Sequence, residues 1–164
     1  HEALGEQVET IALPGSLGNI IDHHRVIHQY EMRRHLAREF EDHPGQLSPF
    51  LRDVLTQAEA HDDEHYAHSL AAMQAAKSFF AELFHDFDAI LTPSAAGEAP
   101  VGLERTGDPI FCTMWTSCGL PALTLPLLNG EQGLPIGVQL VAGLEEDDRL
   151  CRTAQWLLNF LDES

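Results

Sequence analysis

Lysine is almost missing from this sequence: Lys77 is the sole one among 164 residues, and nine Lys and Arg together face 26 Asp and Glu, for a formal charge of -17. Basic patches able to neutralise a phosphate backbone cannot be assembled from so few cations, which excludes nucleic acid as a partner. The acids are spread along the chain and read as a solvated surface. Cysteine is also scarce. Cys112, Cys118 and Cys151 are odd in number and form no CxxC pair, which excludes a disulfide framework and a Cys-based zinc site and suits the reducing cytoplasm. No apolar run approaches the roughly 20 residues that span a bilayer, and no signal peptide opens the chain, so a membrane role is not expected. There is no glycine-rich phosphate loop, since Gly97, Gly102 and Gly107 are scattered, and there is no Ser-Ser dipeptide. An initiator Met is absent too, so His1 is not expected to be the natural start of translation.

What is present reads as an α/β protein whose length and 44% hydrophobic content suit one ordinary core. Ala3-Leu4-Gly5 resembles the last turn of a helix with its terminal glycine, and Val8, Thr10 and Ile11 read as a short strand before Pro14-Gly15. A helix with no body is unstable in water, a first sign that the chain is a fragment. Three-to-four-residue spacing of Ile20, His24, Ile27 and Leu36 predicts a helix over 17–40, broken by His43-Pro44-Gly45. Ser48-Pro49 opens a second helix running toward Ala60. A third, with Tyr66, Leu70, Met73, Phe80 and Phe84 near one face, reaches about residue 84. Residues 88–93 then read as a strand, 94–108 as a long loop, 109–118 as a helix, and 122–128 and 135–142 as an antiparallel hairpin around Asn129–Gly133. An amphipathic helix over 145–160, acidic at its start, closes the chain. So few strands for so many helices point to a larger sheet shared with another segment.

Candidate chemistry is sparse. His61-Asp62-Asp63-Glu64-His65 matches an HxxEH zinc pattern, which on a helix puts both histidines on one face, but no third ligand is identifiable and the alternative is a polar helix face. His24 and His28 form a second pair at i, i+4 spacing. Ser16 lacks the flanking glycines of a nucleophile elbow and reads as a turn residue. Cys118 reads as a packed helix-end thiol and Lys77 as a surface residue.

The second half resembles the C-terminal region of amidase-signature enzymes. The resemblance is carried by Trp115-Thr116-Ser117-Cys118-Gly119-Leu120-Pro121-Ala122, by Gly133-Leu134-Pro135-Ile136-Gly137-Val138-Gln139-Leu140, by Asp88 through Thr92-Pro93, and by Asp148-Arg149-Leu150. Tyr66 on its helix and Gly5-Glu6-Gln7-Val8-Glu9 extend it upstream. It implies part of a mixed β-sheet core covered by helices, with an additional helical stretch in the first half. It also implies amide hydrolysis through a Ser–cis-Ser–Lys triad that lies upstream of everything present here, so no catalytic residue is carried over. One pocket wall is: Cys112, Trp115, Thr116 and Thr92 are the candidate substrate-binding residues, with core packing as the alternative for Trp115. Many members have Asn where this chain has Thr116.

The chain thus reads as a single partial domain over 1–164, mainly helical to residue 86 and strand–helix–hairpin–helix from 87. It supplies sheet strands and a pocket wall to an amide hydrolase, and is expected to be inactive alone. No metal or organic cofactor is implied. The expected partner is a missing N-terminal amidase portion or another copy of the chain, with a small amide as substrate of the parent enzyme. A noncatalytic amidase-like scaffold or oligomerisation subunit is the alternative.

Overall fold

The computed structural model describes residues 4–104 and 106–163. Two compact units form, one from His1–Gly18 with Lys77–Ser164 and the other from Asn19–Ala76.

The Asn19–Ala76 unit is helical. Helix α1 (Ile20–His35) and the short α2 (Ala37–Asp42) replace the single helix expected over 17–40. The chain departs from helical geometry at Leu36 (φ -103°, ψ 16°), so the apolar spacing carries across a break in the backbone. Helix α3 (Pro49–Gln57) begins as its sequence dictates. The Ser48 hydroxyl accepts from the Leu51 N–H at 3.2 Å, and Pro49 sits where a free N–H would find no partner. A 3-10 turn, Ala58–Ala60, follows. Helix α4 (Asp63–Asp86) is separate from it and is capped by Asp62, whose carboxylate accepts from the His65 N–H at 2.9 Å. Helix α1 packs on α3 and on the 58–60 turn, where the Arg33 guanidinium donates to the Leu55 carbonyl and pairs with Glu59. Tyr30 and Tyr66 stack with centroids 4.2 Å apart. Their hydroxyls donate to Asp63 and Glu31, and those hydrogen bonds raise both phenol pKa values.

Helix α4 buries a different stripe from the expected one. Ser69, Met73, Ala76, Phe80 and Phe84 are buried, whereas Leu70 is exposed. Leu70 lies one residue, about 100° of helical turn, off the 69/73/76/80/84 row. Ser69 fills the buried position because its hydroxyl finds the His23 ring nitrogen at 3.2 Å.

The other unit holds a three-stranded sheet in the order β1-β3-β2, with β1 (Ile90–Pro93) and β2 (Ala122–Asn129) both antiparallel to β3 (Pro135–Val141). Alternation sorts its two faces. Leu140, Leu123, Leu125 and Leu127 meet helix α6 (Asp147–Asp162), which contributes Leu150, Ala154 and Leu157 to the same cluster. The nearly fully buried Leu140, Leu150 and Leu157 each contribute about 1.5–3 kcal/mol by leaving water. Gln139 belongs to the opposite face, directly across from Thr92 on one side and Thr124 on the other. Helix α5 (Ile110–Cys118) ends at Gly119, whose φ of 71° an L side chain rarely adopts. The Gly119 and Leu120 N–H groups donate back to the Thr116 and Trp115 carbonyls, which closes the helix and aims the chain into β2.

The strand expected at Val8–Ile11 does not form. Val8 is extended (φ -130°, ψ 141°), but residues 8–14 pair with no strand, and extended backbone without a ladder is not a strand. Of the helix end expected at Ala3-Leu4-Gly5, Ala3 lies outside the described residues; Gly5–Gln7 is a 3-10 turn. Among the described residues, no helix is long and apolar enough to cross a membrane.

Candidate functional site

The site is built around one buried amide. Gln139 is 3% exposed in the middle of β3. Its Nε2 donates to the Phe111 carbonyl at 2.7 Å, the Thr92 hydroxyl at 2.9 Å and the Pro93 carbonyl at 3.1 Å. Two hydrogens serving three acceptors make one bond bifurcated. A single side chain therefore fixes the end of β1 to the first turn of α5. The Cys112 thiol adds a second tie to that corner, donating to the Ser94 carbonyl at 3.6 Å.

An apolar cleft of about 1170 Å3 lies in this unit, bordered by residues 7–11, β1, α5 and α6. Thr92 and Trp115 line it, and so do Leu91, Ile110, Met114 and Trp156. Leu13, Leu91, Ile110 and Trp156 expose apolar surface on its border, Trp156 to 43%. Among the described residues, one edge of β1 is unpaired. At one end Arg149 donates to Asp88, Glu146 and the Phe84 carbonyl, so a single guanidinium joins the end of α4, the approach to β1 and the start of α6. The hydrogen bond to Asp88 is the largest of the effects that hold its pKa above the ordinary arginine value.

The four candidate wall residues fall into two pairs. Thr92 and Trp115 border the cleft, whereas Cys112 and Thr116, one helical turn apart on α5, are exposed away from it. Trp115 is 6% exposed and meets Phe80 edge-on at 5.4 Å between centroids, so it packs in the core as well as lining the cleft. Its indole N–H is buried without an acceptor among the described residues. Gln139 escaped the sequence reading, although its signal was there: one amide inside the apolar run Val138-Gln139-Leu140-Val141-Ala142. Alternation gives such a residue a face, but only the fold shows that three acceptors converge on it.

The remaining candidates are dispersed. His61 is not helical (φ -104°, ψ 110°), so it shares no helix face with His65, and the HxxEH geometry is lost. Its Nε2 donates to Gln29 at 2.8 Å, while His65 pairs with Asp62. His24 and His28 stack at 5.7 Å, and the His24 pKa is lowered by burial and by His28. Among the described residues no three His, Cys, Asp or Glu side chains are placed to hold a metal ion. Cys118 is buried; burial pushes its thiol pKa up, opposed in part by the charge of Lys77. A thiol kept protonated is a poor nucleophile.

Comparison with known proteins identifies the lineage. The family model described as Amidase matches residues 25–151, and the chain belongs to that family. It is 31% identical over 104 residues to the A subunit of the mitochondrial glutamyl-tRNA(Gln) amidotransferase of Aedes aegypti, a match covering 58% of this chain and 21% of that protein. It is 33% identical over 101 residues to the corresponding glutamyl-tRNA(Gln) amidotransferase protein of Trichormus variabilis, covering 56% and 20%. A solved structure described as an amidase superposes with a TM-score of 0.77 at 26% identity, over 87% of this chain and 36% of that one. The chain thus spans about a fifth of the length of the curated relatives it matches.

Proposed function

We propose that this chain supplies sheet strands and one wall of the substrate pocket to an amide hydrolase, and that the Ser–cis-Ser–Lys triad breaking the amide lies in polypeptide outside these 164 residues. The observation that carries this reading is the amidase match over 25–151 in a sequence with no paired serines and one lysine, exposed on α4. In the reaction so envisaged, a serine hydroxyl attacks the carbonyl, donors stabilise the oxyanion, the amine leaves and water releases the acyl group. This chain's part is to bind. Cys112 and Thr116, exposed on α5, border the acyl side of a small amide, and Thr92 and Trp115 back that wall from the cleft side, with Gln139 holding Thr92 in register with α5. No cofactor is assigned.

In this reading residues 1–164 are one part of a single domain, and the cleft beside β1 seats the upstream amidase portion. Its volume exceeds the roughly 300–1,000 Å3 of ordinary small-molecule pockets. Its border is apolar and its strand edge unpaired, which suits a protein segment better than a ligand. Three free cysteines suit a cytoplasmic protein. The test is an amide-hydrolysis assay of the chain alone and mixed with an upstream amidase portion bearing the triad. No turnover alone and restored turnover in the mixture are expected. Turnover by the chain alone would overturn the assignment of chemistry elsewhere. A stable, inactive homodimer that ignores the upstream portion would favour the scaffold reading.

A further inference from the structure

The geometry points to Glu98 as the latch of a strap, residues 94–104, whose base adjoins the proposed pocket wall at Cys112. The strap leaves β1 directly after Thr92-Pro93, and its base is tied down because the Ser94 N–H donates to the Gly137 carbonyl and the Ser94 carbonyl accepts from Cys112. Four residues on, the Glu98 carboxylate reaches the β2–β3 hairpin turn. There it accepts from the Gln132 N–H at 3.0 and 3.2 Å and from the Leu134 N–H at 2.9 Å. Converging backbone N–H groups at a turn form an anion-binding concavity, and here the anion is the chain's own side chain.

Gly130 completes the fit. The Glu98 side chain lies against the Gly130 backbone, where any Cβ would overlap it. Beyond the latch the strap carries Val101 and Leu103, 90% and 101% exposed, so two apolar side chains sit in water at its tip. Opening the latch breaks hydrogen bonds at the turn and exposes no core. The latch can therefore open while the sheet stays intact, as low-stability functional loops do.

The strap's bearing on a substrate rests on the proposed pocket wall, but the latch is testable without it. Backbone amide exchange at Gln132 and Leu134 and thermolysin cleavage at the Gly102–Leu103 bond are to be measured on the 164-residue chain and on Glu98→Ala, Glu98→Gln, Gly130→Ala and the Glu98→Ala/Gly130→Ala double variant. Hydrogen bonds to a charged group are strong enough that Glu98→Ala is expected to speed both processes about tenfold or more. The Leu140 and Val141 amides keep their protection. Glu98→Gln falls between, because one amide oxygen still accepts. Gly130→Ala reproduces Glu98→Ala, and the double variant adds nothing, since both remove the same contact. Unchanged exchange and cleavage in Glu98→Ala would overturn the latch, and so would a loss of protection spreading to Leu140 and Val141.

In enzyme reconstituted with the upstream portion, Glu98→Ala is expected to raise KM with little change in kcat. Unchanged KM and kcat would remove the strap from substrate binding. Absence of activity in the reconstituted wild type would sink the amide-hydrolase reading while the exchange result still decides the latch.

Discussion

Gln139 is where a single residue holds most of the local order. Leucine at this position fits the apolar strand but leaves the Phe111 and Pro93 carbonyls without their donor. A hydrogen bond lost at such part-buried carbonyls costs about 0.5–1.5 kcal/mol, so Gln139→Leu is expected to lower the unfolding free energy by about that much, read as a lower urea midpoint with the slope unchanged. Trp115 presents the reverse problem, a donor with no acceptor among the described residues. Trp115→Phe discards the orphaned N–H together with some buried area, and the two effects nearly cancel, so a change within about 1 kcal/mol is expected. Trp115→Ala removes the ring from Phe80 and should cost about 3–5 kcal/mol. A Phe variant as damaging as Ala would show that the indole N–H has a partner. The three thiols separate in the same way. Cys112 and Cys151 are exposed and Cys118 is buried, so a thiol reagent should label two residues in the folded chain and the third only on unfolding.

Among the elements, α4 shows best how charge and fold interact. Asp62 caps it, and the hydrogen bond from the His65 backbone, ahead of smaller contributions, holds the carboxyl below its ordinary value of 3.8. A depressed carboxyl stabilises the folded chain fully above the unfolded pKa, and that contribution is lost as pH falls through the folded pKa. Asp62→Asn keeps an N-capping acceptor that does not titrate. Its thermal midpoint should match wild type near pH 7 and fall less steeply below about pH 4, the ordinary carboxylate range. Asp62→Ala should be less stable at neutral pH, and parallel acid profiles for Asn and wild type would dismiss the cap. The existence of this helix was legible in the spacing of Met73, Phe80 and Phe84, and the start of α3 in Ser48-Pro49. The break at Leu36 and the exposure of Leu70 were not, because one depends on local backbone geometry and the other on which row finds neighbours. The hairpin was readable from its turn, whereas Val8–Ile11 had strand composition without a strand to pair with. Of the four candidate wall residues, Thr92 and Trp115 line the cleft and Cys112 and Thr116 do not, and the tie of Thr92 to α5 through Gln139 is a tertiary fact joining β1, α5 and β3.

At the scale of the whole molecule, the question is what covers the cleft beside β1. Leu13, Leu91, Ile110 and Trp156 expose apolar surface around a strand edge in a chain of charge -17, and unpaired edges invite pairing. If the upstream amidase portion seats there, docking removes Trp156 from water. In a Trp115→Phe background Trp156 is the only tryptophan, so its fluorescence reports on this border alone. Addition of the upstream portion is expected to shift that emission to the blue and to suppress acrylamide quenching. Ile110→Asp should weaken the association by about tenfold or more, as truncating or charging a buried interface anchor does. It should leave the thermal midpoint of the chain by itself nearly unchanged, because Ile110 is exposed there. A Trp156 that stays equally quenchable while hydrolysis is restored would place the docking surface elsewhere and reassign this cleft to the substrate.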